Sequence, residues 1–367
     1  MLNETMYRIA LQYLPHYGSV LVRKLIRETG TAAEAFSNSS RAMHSLKKYN
    51  RFLERPVMTP AIRNRVEREM QWMETNGVKL SFFTDDDFPQ RLNNCHDAPF
   101  LFYYRGDGRF NPSKTVAIVG TRHASSYGKE AIAKIIGELA DTDISIISGL
   151  ARGIDTIAHE EALNARLHTI AVLGSGLGVV YPESNLDLSR NIIRGNGSIL
   201  SEYPYYTKPE RQNFPRRNRI IAGMADAVVI AETRKRGGSM ITAFIAHSYN
   251  RDIFAVPGSI FQDSFFGCHE LIRSNMAAII TSGAELMEMM NWDYKRPKNI
   301  QRKLFVELTA REKYVVDNME AGKRIPIDHI SASCSELTPS QIASVLLELE
   351  MKGILVSHPG KTYRLLD

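Results

Sequence analysis

Four arginines fall within nine residues, Arg211, Arg216, Arg217 and Arg219, with Phe214 and Pro215 among them. Arginine carries a permanent charge on a planar fork that grips phosphate oxygens in pairs. An aromatic ring nearby offers a face on which a nucleobase stacks. Together these residue types suit a polyanion that carries bases. A second basic run, Arg234-Lys235-Arg236, leads straight into Gly237-Gly238-Ser239. A glycine turn that opens a helix presents backbone N–H groups to an anion. Further cations stand beside other glycines: Arg122 and His123 after Gly120, Lys129 after Gly128, and Arg152 before Gly153. These residues are the candidate nucleic-acid contacts.

The elements that must position them come from the apolar pattern. Short β-branched runs at 115–119, 144–147, 169–173, 198–200, 227–231 and 253–256 are apolar on both faces, as buried parallel strands are. Helical stretches alternate with them, which predicts a doubly wound, Rossmann-like α/β domain over 78–290. In such a sheet, ligands bind outside the carboxyl ends of the strands. Five strand-end loops, starting at Gly120, Ser148, Gly174, Arg234 and Pro257, are expected to converge there. The arginine cluster leads towards the run at 227–231, so it is expected at an element boundary.

The flanks differ in kind. Residues 1–75 read as a helical domain, like a sterile-alpha-motif or helix-hairpin-helix fold. It has a turn at Pro15-His16-Tyr17-Gly18 and a capped helix start at Thr59-Pro60. Residues 291–306 are polar, basic and broken by proline, and are expected to be a linker. Residues 307–367 read as a winged helix. Thr309 with Glu312 and Thr338 with Gln341 fit the capping box. Ile342, Val345, Leu346 and Leu349 form a stripe that ends near Gly353, and a two-stranded wing is expected around Pro359-Gly360. Glu348 and Glu350 would repel a major groove, which favours a protein contact over duplex binding.

The 367 residues are 44% hydrophobic with a net charge of +6, enough apolar content for packed cores and a charge that permits a polyanionic partner. Three scattered cysteines contain no C-x-x-C pair, so neither a zinc ribbon nor a redox motif is expected. No basic region precedes an apolar run at the N-terminus, and no run is long enough to span a bilayer. A cytoplasmic protein with no membrane partner is expected. Gly174-x-Gly-x-Gly lacks the spacing of a dinucleotide fingerprint. Asp155 and His159 lie four apart with no third ligand, and are expected to cap a helix and to bond a neighbouring loop. No metal, cofactor or catalytic residue is assigned. Glu232, just before the basic run, is read as an orienter of Arg234, Lys235 and Arg236.

In order along the chain, the motifs resemble one family, DNA-processing protein A (DprA, also called Smf). They are Val119-Gly-Thr-Arg122 with Tyr127-Gly128, Ser148-Gly-Leu-Ala-Arg-Gly-Ile-Asp155 with Ala158-His159, and Thr169-Ile-Ala-Val-Leu-Gly174 with Tyr181-Pro182. Ser201-Glu-Tyr-Pro204, Phe214-Pro-Arg-Arg-Asn-Arg-Ile-Ile-Ala-Gly223, Gly238-Ser239 with Ile241-Thr-Ala243, and Ala255-Val-Pro-Gly258 follow. The resemblance implies a non-enzymatic recombination mediator. Such a protein binds single-stranded DNA, forms homodimers through the Rossmann-like domain, and loads RecA recombinase onto incoming strands during natural transformation, in competence. By matching motif it points to Arg122, Arg152, Arg217, Arg219 and Arg236 as phosphate contacts. Two places depart from the family's usual pattern. A glycine stands at Gly237 where a serine is usual, and Leu271-Ile-Arg-Ser-Asn-Met-Ala277 lacks the usual glycine-alanine. The rival reading is a phosphoribohydrolase on a related fold. That chemistry needs a glutamate on the helix after the glycine turn, and Met240-Ile-Thr-Ala-Phe-Ile-Ala246 has none.

Overall fold

The computed structural model describes residues 3–195, 197–292, 308–319, 323–352, 354–358 and 361–365. The chain divides into two compact units, Met1–Tyr294 and Lys295–Asp367. Residues 293–306 of the expected linker lie outside the described residues, as do Gly353, Pro359 and Gly360.

The first unit is built on a nine-stranded sheet. Its strands are β1 (Lys79–Phe82), β2 (Leu101–Gly106), β3 (Lys114–Val119), β4 (Ile144–Ser148), β5 (Thr169–Val172), β6 (Ser198–Ser201), β7 (Ala227–Ile230), β8 (Asp252–Ala255) and β9 (Ala278–Ile279). Their order is β1-β2-β6-β5-β4-β3-β7-β8-β9. From β6 to β9 every pairing is parallel, whereas β1 and β2 add an antiparallel edge. The six runs read from the sequence are β3 to β8; β1, β2 and β9 lie outside that reading.

Successive residues of a strand point to opposite faces, and here both faces are dry. Val116 and Ile118 of β3 join one core with Ile132 and Ile154, while Ala117 and Val119 join another with Ile220 and Met240. Each fully buried aliphatic side chain of this kind contributes roughly 1.5–3 kcal/mol. Helices Ser126–Gly137 and Ile154–Asn164 cover the first face; helices Asn213–Met224 and Gly238–Ser248 pack side by side on the second. The strand order turns back between β3 and β7. Chain built after β3 runs outward through β4, β5 and β6, then returns through helix Asn213–Met224 to β7.

The N-terminal helices share the second core. Met6, Ile9, Leu25 and Val66 are continuous with Phe82, Phe102 and Ile220. Helix Pro60–Asn76 starts where the sequence places it, with the Ile62 N–H donating to the Thr59 hydroxyl at 3.2 Å. In the second unit, helices Ala310–Asp317, Ile327–Ser333 and Pro339–Met351 accompany a sheet of β10 (Ile325–Pro326), β12 (Thr362–Leu365) and β11 (Leu355–His358) in that order. Both capping boxes are formed, and Ile342, Val345, Leu346 and Leu349 are buried. That is a winged helix with its own core.

Candidate nucleic-acid interface

A groove of about 960 Å³ opens beyond the carboxyl ends of β3 and β7, where the strand order reverses. One wall is the loop after β3, with Thr121 and Arg122. Another is the loop after β7, from Thr233 to Ser239. Tyr181, Arg211 and the start of helix Asn213–Met224 close the third side. Arg122, Arg211, Arg234, Lys235 and Arg236 are all exposed along it. Within it lies Phe214, with the Arg122 guanidinium 5.3 Å from its ring centroid and the Tyr181 ring 5.8 Å away. Phe214 thus has both a cation and a second ring beside it.

The glycine turn is placed as expected. Gly237 caps helix Gly238–Ser248 without a side-chain hydrogen bond, and the helix N-terminus opens onto the groove. The hydroxyls of Ser239 and Thr242 are buried there with no hydrogen-bond partner. Unpaired donors at a helix N-terminus are a ready seat for phosphate oxygens.

The arginine cluster behaves differently from the expectation. Arg216, Arg217 and Arg219 do not sit at the boundary of β7 but within the helix Asn213–Met224, whose turn fans them apart, and Arg211 lies just before it. Phe214, Arg217 and Asn218, spaced three and four apart, line the groove, while Arg216 and Arg219 line a second cavity. Arg217 is the main correction. It is only 3% exposed, and its guanidinium donates to the carbonyls of Gly149 and Val172 at the ends of β4 and β5. Gly149 makes room for this, since a Cβ there would lie 2.6 Å from the guanidinium carbon. Arg217 is therefore a tie between helix and sheet, not a free phosphate ligand. Arg219 is held in an ion pair with Glu202. His123, Lys129 and Arg152 are exposed but do not line the groove.

Asp155 and His159, the acid and base nearest the groove that the sequence singled out, are both buried. Asp155 is 6% exposed, and burial raises its carboxyl while the Arg217 charge opposes that rise. Burial also pushes the Arg217 guanidinium down to about 10, with Asp155 opposing. His159 is fully buried, bonds the Thr169 hydroxyl at 2.7 Å, and is pushed down to about 3 by burial and then by Arg217. It is a neutral core residue. Gly153 leads into their helix at a φ of +80°, a conformation that favours glycine. Glu232 corrects a second expectation. It is 1% exposed and accepts from the backbone N–H and hydroxyl of Ser125, each at 3.0 Å, so it secures the start of helix Ser126–Gly137 and does not orient the basic run. Among the described residues no group of three His, Cys, Asp or Glu is placed to hold a metal ion.

Residues 79–291 match the family DNA recombination-mediator protein A, and residues 306–361 match the DprA winged helix domain. The chain belongs to this family. It is 42% identical over 203 residues to the DNA processing protein DprA of Streptococcus pneumoniae, which spans 55% of this chain and 71% of that relative. Protein Smf of Escherichia coli is 32% identical over 333 residues, 88% of this chain and 85% of that protein. The X-ray structure of the pneumococcal DprA superposes with a TM-score of 0.64 at 31% identity, covering 79% of this chain and 99% of that one. A Helicobacter pylori DNA processing protein A, described for its single-stranded DNA binding mode, superposes with a TM-score of 0.52 at 30% identity, covering 58% and 96%.

The sequence reading did not single out Tyr181 or Phe244 as contacts, yet both line the groove and are about half exposed. A signal was present in each. Tyr181 follows the glycine-rich turn after β5, and Phe244 lies on the helix that the glycine turn opens.

Proposed function

We propose that the groove binds the backbone of single-stranded DNA without catalysis, and that the protein acts as a recombination mediator. One observation carries this reading: five exposed cations surround the Tyr181–Phe214 ring pair at the switch point. Cations along a groove track phosphates, and rings accept any base, so little sequence preference is expected. Of the fifteen sequence candidates, Arg122, Arg211, Phe214, Arg234, Lys235, Arg236 and the turn Gly237-Gly238-Ser239 are assigned to this role. Arg152, His123 and Lys129 flank it, and Arg217 supports it from below.

From the family resemblance we take RecA recombinase as the protein partner, a homodimer as the assembly, and protection of incoming single strands and RecA loading in the cytoplasm during natural transformation as the role. The winged helix is assigned to a protein contact, on the strength of Glu348, which is exposed, and Glu350, which is half-buried. Hydrolysis is disfavoured because the one acid lining the groove, Asp155, is the counter-charge of Arg217.

Titration with single-stranded DNA, duplex and nucleoside monophosphates across a range of salt tests the proposal. With about five phosphates engaged, log K falls against log salt with a slope of about −3 to −4, at roughly −0.7 per phosphate. A flat salt response, or equal affinity for duplex, would overturn it. Release of free base from the monophosphates would promote the hydrolase reading instead.

A further inference from the structure

Beside the groove lies a second cavity of about 850 Å³, bounded by the start of helix Ser19–Thr29 on one side and by helices Asn213–Met224 and Gly238–Ser248 on the other. Its size is within the range of small-molecule sites, roughly 300–1,000 Å³. The two spaces share Pro215 and Ile241, which form a low ridge between them. Glu202, Tyr203, Arg216, Arg219 and Ile241 of the family motifs line it, yet the contacts proposed for the groove do not use it.

Its chemistry is specific. Val20, Ile241 and Ile245 make apolar walls, and Val20 and Ile241 are 42% and 41% exposed, a wide apolar opening. Two donors lie among its lining residues. The Tyr203 hydroxyl and Nη1 of Arg219 are buried and have no hydrogen-bond partner. Glu202 holds the other terminal nitrogen of Arg219 and so fixes the fork. Buried donors without acceptors are costly, and a ligand that supplies acceptors recovers that cost. The charges nearly cancel: Arg216 and Arg219 face Glu202 and Asp97, and Asp97 also receives the Tyr249 hydroxyl. A free anion gains little here. A flat, neutral group with a carbonyl acceptor gains on every count.

Resting on the proposed single-strand binding, we propose that the DNA strand crosses the Pro215–Ile241 ridge and places one nucleobase in this cavity. The base lies against the apolar walls, its ring carbonyl accepts from Tyr203 and Arg219, and Arg216 at the mouth meets its phosphate. Thymine, cytosine and guanine carry such a carbonyl; adenine does not. The site therefore adds a mild base preference to a groove that has none.

Fluorescence anisotropy with oligo-dT and oligo-dA separates this from binding in the groove alone. Two lengths are used, about four and about twelve nucleotides, the span of common single-strand sites. Wild type prefers dT over dA only at the greater length. Val20→Trp fills the cavity from an exposed position, leaves the short oligonucleotides unaffected and weakens long dT about tenfold. Tyr203→Phe keeps the packing and abolishes the dT preference. Wild-type affinity of Val20→Trp for both lengths, or an equal loss at both, would overturn the second site. Absence of binding by wild type at either length would instead overturn the groove reading on which it rests.

Discussion

Among the residues, two arginines that look alike in the sequence have opposite jobs. Arg122 is exposed at a groove wall, and Arg217 is buried beneath it with Asp155 as its counter-charge. Arg122→Ala is expected to weaken single-strand binding by roughly 1–3 kcal/mol, as for a lost hydrogen bond to a charge, and to leave the melting temperature unchanged. Arg217→Ala is expected to cost roughly 1–3 kcal/mol of stability or more, because it leaves the buried Gly149 and Val172 carbonyls without their donor. Chemical denaturation of both variants checks the contrast, and equal stability of the two would refute it. The sequence showed the cluster but not this division. The helical register does not contain it: four residues on from Arg216 is Ile220 and four on from Arg217 is Ile221, both buried. Only the contacts with the ends of β4 and β5 tell the two apart.

At the level of elements, the parallel strands were legible because burial on both sides leaves unbroken aliphatic runs, as at Ile144–Ser148. The edge strands were not, though 100–104 is Phe-Leu-Phe-Tyr-Tyr, rich in strand-forming residues. β1 and β2 are antiparallel and lack the crossover helix that marks the others, and β9, though parallel, is only two residues long. Nor did the sequence show how helix Pro60–Asn76 meets the chain between β6 and the next helix. There Glu69, 1% exposed, accepts from the Tyr205 N–H at 2.9 Å and from the Tyr13 hydroxyl at 3.3 Å, while Trp72 stacks on Tyr205 at 5.0 Å. Burial raises the Glu69 carboxyl to about 7, against the opposing pull of these hydrogen bonds. A carboxyl raised in the folded state stabilises it when protonated. That stability is complete below the unfolded value near 4.5 and is lost as pH rises towards 7. The loss is on the order of 3 kcal/mol. Denaturation of wild type and Glu69→Gln from pH 4 to 8 reads it as a difference. The gap between the two curves should change across that window and stay level above it.

For the whole molecule, the two units have separate cores. That of the second contains Val315, Ile330, Leu346 and Leu355, and its helices begin with complete capping boxes. A chain ending at Tyr294 is expected to melt in one cooperative transition and to retain single-strand affinity. Loss of binding in that truncation would move the site off the first unit. Meanwhile the tie made by Arg217 fixes more than stability. Its hold on the ends of β4 and β5 pins the helix that carries Phe214, one turn away. A groove wall fixed at folding is a mould made before its ligand arrives, and for the proposed strand binding it leaves little backbone ordering to contact. Such a mould has a kinetic signature. In stopped-flow mixing, the observed rate should climb linearly with DNA concentration, without a plateau, and slow steeply with ionic strength, since encounter alone sets the pace. A plateau would mean that the groove must first open.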